Sequence, residues 1–156
     1  MSDVFGGQGL TCGICDCDGV VAAALRDMLE HVLQGQDVRL RMLRSESSQQ
    51  MEQLAHTHRL GLAVWVLSSE DQLPGLCQAM AAVRDRHRDT PCVCFLNLPR
   101  SEWVSLLAEA GVQLIVGDLA TLQLALPRLV AHAPLSAQGY HPLTSGLMER
   151  LPWGHA

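Results

Sequence analysis

The sequence predicts an α/β fold in which about five parallel strands form a sheet covered by helices on both faces. One observation is the apolar run of residues 10–15, which is typical of a strand buried on both sides. Another is that five strand-like segments alternate with five helical segments, through connections that suit right-handed crossovers. Together they predict a three-layer α/β/α sandwich.

The strands that follow the first are predicted at four places. Residues 37–43 alternate apolar side chains with Arg39 and Arg41, which indicates a half-exposed strand. Residues 60–67 and 92–96 are continuous apolar runs, and residues 112–116 form a fifth strand. Acidic or polar residues follow several of these strands, and in open parallel sheets ligands bind at the carboxyl ends of the strands.

The helices are predicted from apolar side chains that recur at helical spacing. Ser47 or Ser48 is expected to cap the second helix, and Pro127 is expected to kink the last one or delay its start. Their ranges are residues 20–33, 45–59, 73–87, 101–110 and 119–132.

Composition restricts the classes of function. The 156 residues suit one domain, divided into a flexible leader (1–9), a folded region (10–133), and a linker with an amphipathic tail (134–156). A net charge of -5 without a basic cluster argues against nucleic-acid and anionic-membrane partners. No apolar run is long enough to span a bilayer, and no signal-peptide pattern is present. We therefore expect a cytoplasmic protein. All eleven basic residues are arginine.

Four short motifs occur in an order and spacing that suggest a known family. They are Ile14-Cys-Asp-Cys-Asp after strand one, Leu73-Pro-Gly-Leu after strand three, Thr90-Pro-Cys-Val-Cys entering strand four, and Glu109-Ala-Gly-Val before strand five. With these motifs, residues 10–132 resemble a response-regulator receiver domain. The resemblance implies a flavodoxin-like sheet with strand order 2-1-3-4-5.

The resemblance also implies a phosphorylation site, at which this sequence departs from the family. Receiver domains phosphorylate an aspartate after strand three, with Mg²⁺ held by acids after strand one, a hydroxyl after strand four and a lysine after strand five. Asp16 and Asp18 match acidic positions, but Cys17 between them is a poor Mg²⁺ ligand. The remaining positions fall on Ser68 or Glu70 (acceptor), Asn97 or Leu96 (hydroxyl) and Asp118 (lysine).

These departures predict a non-catalytic pseudo-receiver that needs no cofactor or metal. It is expected to act through protein–protein contacts in a bacterial regulatory or assembly pathway, with a partner protein or with a second copy of itself. The tail has two expected roles. It folds back onto the domain, or it binds the partner, since its apolar side chains fall on one face of a short helix that ends in an aromatic anchor. The candidate residues are Leu143, Leu147, Leu151 and Trp153.

Two other functions are consistent with the strand-end residues. Asp16-Cys-Asp-Gly-Val-Val resembles the nucleophile loop of haloacid-dehalogenase-type phosphatases, with Asp16 as nucleophile and Asp18 as proton shuttle. Ser68 would then contact phosphate, and Gly117-Asp118 would begin a metal motif, with Arg100 replacing the missing lysine. A small-ligand sensor that uses the emptied strand-end pocket is the other alternative. The simplest role for Asp16 and Asp18 is structural, as a solvated strand end and a helix cap.

The six cysteines are interpreted as reduced thiols. Cys15 and Cys17, like Cys92 and Cys94, are expected to lie on strands and to act mostly as small buried apolar side chains. A redox sensor lacks support in the sequence, because no basic residue lies near these thiols along the chain.

Overall fold

A computed structural model describes residues 8–96 and 101–137, and within them the predicted alternation of strands and helices is present. A 3₁₀ turn, Glu70–Gln72, precedes the third helix. The strands are β1 (Gln8–Cys15), β2 (Val38–Ser45), β3 (Leu62–Leu67), β4 (Cys92–Leu96), β5 (Leu114–Val116) and β6 (Ser136–Ala137). The helices are α1 (Val20–Val32), α2 (Ser48–Thr57), α3 (Leu73–Arg86), α4 (Ser101–Ala110) and α5 (Leu119–Ala131).

The sheet confirms the fold class and the strand order 2-1-3-4-5. Strands β1 to β5 are parallel and lie in the order β2-β1-β3-β4-β5. Cys15 pairs with both Ser45 and Trp65, so β1, β2 and β3 reach the same edge of the sheet nearly level with one another. The loop after β1, which carries Asp16, Cys17 and Asp18, therefore leaves the sheet beside the loops that follow β2 and β3.

Strand β6 extends the sheet with residues that the sequence pattern assigned to the leader and the linker. Gln8 pairs with Ala137 and Gly9 with Ser136, antiparallel to β1. The strand β1 thus starts two residues before the predicted boundary of the folded region. The segment after α5 returns to the amino-terminal end of β1. This is the edge of the sheet opposite the strand-end loops.

Two apolar cores cover the two faces of the sheet. On one face, Leu10, Cys12 and Ile14 of β1 pack with side chains of α1 and α5. On the other, Cys15 and Trp65 pack with side chains of α2, α3 and α4. Both faces of β1 are buried, as expected for a central parallel strand.

The element boundaries follow the predictions to within a few residues. Ser47 is the cap of α2, since its side chain accepts a hydrogen bond from the Gln50 N–H (3.2 Å). Helix α5 starts at Leu119 and continues through Pro127, so the expected delayed start does not occur. In the part of the chain that the structure describes, no helix is long and apolar enough to cross a bilayer.

A close approach of two backbone segments requires glycine at position 61. A Cβ added to Gly61 would lie 2.6 Å from the carbonyl oxygen of Pro134 and 2.5 Å from Cδ1 of Leu10. We expect Gly61→Ala to lower the free energy of unfolding by about 1–3 kcal/mol, because the backbone of the Pro134 segment must move. Urea unfolding of the two proteins measures this.

Gly75 provides the matched control for this prediction. It lies in α3, and a Cβ there would meet its nearest neighbour, in Ser48, at 3.8 Å. Gly75→Ala should leave stability unchanged or raise it by about 0.5–1 kcal/mol, because alanine favours the helix. Equal unfolding midpoints for the two variants would contradict the close approach at Gly61.

Candidate functional site at the carboxyl edge of the sheet

Asp16, directly after β1, is buried and caps α1. Asp16 is 2 % exposed, and its Oδ2 accepts a hydrogen bond from the Ala22 N–H (2.9 Å). Its own N–H donates to the Ser45 carbonyl (2.9 Å). The first N–H groups of a helix have no partner within the helix, and Asp16 supplies one. The expectation that Asp16 ends the strand in solvent is therefore wrong, since this carboxylate lies inside the protein.

Asp18 binds the start of the same helix from the solvent side. Its Oδ1 accepts a hydrogen bond from the Val20 N–H (3.0 Å), which lowers the pKa of this carboxyl, with a further contribution from the Arg44 guanidinium. Gly19, between Asp18 and Val20, has φ = 83°, a left-handed conformation that glycine adopts without strain. The N-cap residue is Gly19, so the predicted cap at Asp18 is displaced by one residue, although Asp18 does bind the first N–H of the helix.

Arg44, the penultimate residue of β2, holds the backbone of the β1–α1 loop. Its Nε donates to the Asp16 carbonyl (3.0 Å) and its Nη2 to the Cys17 carbonyl (2.7 Å). A Cβ on Gly19 would lie 3.2 Å from Cζ of Arg44, so the guanidinium also limits what can occupy that position. This role of Arg44 could not be predicted from the sequence pattern, because the predicted strand ended at residue 43 and β2 continues to Ser45.

Cys17 links the loop after β1 to the loop after β3 through Gln72. Its Sγ donates to the Glu46 carbonyl (3.4 Å) and accepts a hydrogen bond from Gln72 Nε2 (3.6 Å). Gln72 Oε1 in turn accepts the N–H groups of Ser68 (2.8 Å) and Ser69 (3.3 Å). Gln72 was missed, although Ser69-Glu-Asp-Gln72 matches the capping-box pattern that the structure shows at this 3₁₀ turn.

Cys17 also departs from its predicted location. Strand β1 ends at Cys15, and Cys17 lies in the following bend, where it is exposed. Cys12, Cys15, Cys92 and Cys94 are buried, as the sequence indicated for the strand cysteines. Burial raises the pKa of the Cys12, Cys92 and Cys94 thiols to about 12.

Asp118 caps α5, at the position where the receiver resemblance calls for lysine. Its Oδ1 accepts a hydrogen bond from the Thr121 N–H (2.7 Å). This bond, with the Thr121 side chain, lowers the pKa of the Asp118 carboxyl. The carboxylate thus has a partner in its own helix that the sequence analysis did not identify.

The remaining candidate positions are only partly described. Ser68 and Glu70 are exposed, in the loop after β3 and at the start of the 3₁₀ turn. Asn97 and Arg100 lie outside the described residues, as do the tail candidates Leu143, Leu147, Leu151 and Trp153. Within residues 8–96 and 101–137, no group of three or more His, Cys, Asp or Glu side chains is placed to hold a metal ion.

Solved receiver domains share this architecture. The isolated receiver domain of RcsB from Salmonella enterica serovar Typhimurium matches with a TM-score of 0.62 at 16 % identity, over 86 % of this chain and 98 % of that one. A response regulator from Thermotoga maritima matches with a TM-score of 0.61 at 12 % identity, over 79 % and 98 % of the two chains. The chain has a receiver-like fold.

The same receiver-like fold occurs in a protein connected with assembly. The "putative pilus assembly-related protein" of Burkholderia pseudomallei K96243 matches with a TM-score of 0.61 at 17 % identity, over 80 % of this chain and 92 % of that one. No protein-family model matches the sequence, and no curated protein is significantly similar to it. At these identities the likeness establishes the fold and not the activity.

The cap at Asp118 leads to a pH-dependent prediction. Because its pKa is lowered on folding, the charged carboxylate contributes stability above its unfolded pKa, near 3.8, and loses that contribution as the pH falls through the lower folded value. Asp118→Asn keeps the cap without the charge. At pH 7 we expect the wild type and Asp118→Asn to have equal melting temperatures. Below about pH 4 the wild type should melt at a lower temperature than Asp118→Asn.

Asp118→Ala is the complementary variant, since it removes the cap altogether. Its melting temperature should fall by a few degrees at pH 7, where Asp118→Asn leaves it unchanged. If Asp118→Asn were as destabilising as Asp118→Ala at pH 7, the negative charge would have a partner other than the helix.

Proposed function

We propose that this chain is a pseudo-receiver: a receiver-like domain that acts through protein–protein contacts, independently of aspartyl phosphorylation, in a bacterial signalling or assembly pathway. The observation that carries the proposal is the hydrogen bonding of the strand-end loops. Asp16, Cys17 and Asp118 each bind groups of the chain itself, at the positions that would serve Mg²⁺ and phosphate in a phosphorylated receiver.

Phosphoryl transfer requires positive charge around the phosphoryl oxygens as negative charge develops on them. The sequence contains no lysine, and the position for it carries the anion Asp118. Arg44, the cation at the β1–α1 loop, donates to two backbone carbonyls of that loop. Neither Asp118 nor Arg44 is suited to stabilise the transition state of phosphoryl transfer.

The metal and acceptor positions are equally unsuited to it. The Asp16 carboxylate is buried and bound to the Ala22 N–H, and Cys17 offers sulfur, which Mg²⁺ accepts poorly. The acceptor position falls on Ser68 or Glu70, neither of which is aspartate. In place of a bridging metal, the amide of Gln72 connects the loops after β1 and β3.

Two observations favour protein partners. Helices α4 and α5 carry four of the large apolar side chains that the described surface exposes: Val104, Leu106, Leu119 and Leu124, the last 84 % exposed. Exposed apolar side chains indicate an interaction surface when they form one contiguous patch. The pilus assembly-related protein with the same fold makes an assembly pathway as plausible a setting as two-component signalling.

The phosphatase alternative is weakened by the position of Asp16. A nucleophilic carboxylate must reach a phosphorus atom in the substrate. Asp16 is 2 % exposed and holds the Ala22 N–H, so attack would require the start of α1 to open. Helix α1 begins directly after Gly19, which leaves no segment between loop and helix to admit a substrate.

The first test is exposure to phosphoryl donors. We expect that acetyl phosphate or beryllofluoride with Mg²⁺ will neither shift the intact mass of the protein nor raise its melting temperature. The reason is that the acceptor aspartate and the lysine of a conventional receiver are missing. A conventional receiver domain treated in parallel shows that the donors are active.

Two variants identify the cause if a reaction does occur. A Mg²⁺-dependent adduct that disappears in Asp16→Asn or Glu70→Gln would contradict the pseudo-receiver proposal. Turnover of a phosphomonoester that Asp16→Asn abolishes would favour the phosphatase instead.

The second test concerns the tail, and β6 determines where the chain should be cut. Removal of the residues after Ala137 keeps the pairing of Ser136 and Ala137 with β1. We expect this truncation to leave the melting temperature unchanged and to weaken binding to the partner isolated with the intact chain. Leu124→Arg, on the α5 surface, is the matched variant: if it abolishes binding while the truncation does not, the partner contacts the helices rather than the tail.

A further inference from the structure

We propose that Cys17 and Cys15 form a thiol pair that a small neutral hydroperoxide converts into an intramolecular disulfide. The two side chains line one cavity of about 280 Å³ at the carboxyl ends of β1, β2 and β3. This inference does not depend on the proposed function, because it rests on the geometry and chemistry of the cavity alone.

The cavity brings together groups from three loops. Besides the two thiols, its polar lining consists of two carboxylates, two hydroxyls and an amide, which belong to Glu46, Asp71, Ser47, Ser48 and Gln72. Ser47 caps α2, Ser48 is its first residue, and Gln72 precedes α3. The positive ends of the two helices favour the negative charge that a reacting sulfur carries. The two carboxylates oppose that charge and also disfavour anionic reagents, so a neutral oxidant such as hydrogen peroxide suits the site.

The two thiols differ in the ways that the reaction requires. Cys17 is exposed, and its sulfur accepts the N–H of Gln72, a donor that would also stabilise the sulfur as charge develops on it. Cys15 is 7 % exposed, and burial raises the pKa of its thiol, against smaller effects of Ser45 and Ser48. The peroxide therefore meets Cys17 first, and Cys15 remains a thiol beside it.

The spacing of the pair allows a disulfide. Two residues of extended chain span about 6.6 Å, which is within the range of Cα separations found in disulfides. The chain leaves the strand after Cys15 and bends at Cys17, which does not lengthen that separation. Both residues line the same cavity, which places the two thiols side by side along one wall.

The reaction proceeds in two steps. The Cys17 sulfur attacks one peroxide oxygen, an S–O bond forms, the O–O bond breaks, and the departing hydroxide takes the thiol proton to leave as water. The Cys15 sulfur then attacks the Cys17 sulfur, an S–S bond forms, the S–O bond breaks, and a second water leaves with the Cys15 proton. Two thiols are oxidised, and one peroxide is reduced to two waters.

Oxidation would also change the link between the loops. The Cys17 sulfur cannot turn to Cys15 and keep the same hydrogen bonds to Gln72 Nε2 and the Glu46 carbonyl. Since Gln72 also holds the N–H groups of Ser68 and Ser69, the loop after β3 loses its connection to the loop after β1. The disulfide would thus release one side of the candidate site.

The experiment treats the full reduced chain with hydrogen peroxide and follows its intact mass and its tryptic map. The tryptic peptide that ends at Arg26 carries Cys12, Cys15 and Cys17, so fragment ions of that peptide assign the bond. We expect the loss of two hydrogens, a disulfide between Cys15 and Cys17, and full reversal by dithiothreitol. Cys17 should react at least about tenfold faster than Cys77, which is partly buried and whose thiol pKa is raised by burial.

Variants separate the two roles. Cys17→Ser should lose the reaction at the same peroxide concentration. Cys15→Ser should stop at the sulfenic acid, which dimedone traps on Cys17. Cys77→Ser should react as the wild type does. Melting curves confirm that each variant folds, and Cys15→Ala replaces Cys15→Ser if the latter does not.

Three results would overturn the proposal. One is a disulfide that joins two chains or involves another cysteine. Another is equal oxidation of Cys17 and Cys77. The third is disulfide formation that persists in Cys17→Ser.

Discussion

Strand β1 lies between two apolar cores, with α1 and α5 on one face and α2, α3 and α4 on the other. From Gly9 to Asp16 every residue of this segment is buried. A polar group at the end of such a strand has little access to water and must find its hydrogen bonds within the protein. This constraint determines the arrangement of the whole carboxyl edge of the sheet.

Asp16 shows the consequence most directly. Its carboxylate is taken out of solvent by its position at the end of β1, and the free N–H groups at the start of α1 are the donors within reach. Gly19 permits the turn that brings the helix start back to Asp16, and Arg44 binds the carbonyls that this turn leaves without partners. The loop is thus held by the chain's own charged groups.

The loops after β1 and β3 are connected in a way that needs no ion. Gln72 reaches from the 3₁₀ turn to the Cys17 sulfur and to two backbone N–H groups, so one amide joins the two loops. The same architecture in other proteins supports several settings, from response regulators to a pilus assembly-related protein. Function on a common fold depends on the strand-end side chains, and among the described ones Asp16, Cys17 and Asp118 are bound to the chain's own side chains and backbone.

The sequence by itself determined the fold class and the limits of β4 and α4, and it narrowed the cap of α2 to Ser47 or Ser48, because these depend on periodicity and on contacts within a few residues. The strand order came from the resemblance to receivers, and the structure confirmed it. The roles of Asn97 and of the tail stay predictions.

Only the tertiary structure decided three features: the burial of Asp16, the hydrogen bonds from Arg44 to the β1–α1 loop, and the hydrogen bond between Cys17 and Gln72. Arg44 lies 28 residues from Asp16, and Gln72 lies 55 residues from Cys17. Such contacts exist only because the register of β1 with β2 and β3 brings their ends level. Alternation of apolar and polar side chains fixes the register of a strand with one solvent face, but β1 is buried on both faces, so its own pattern does not fix that register.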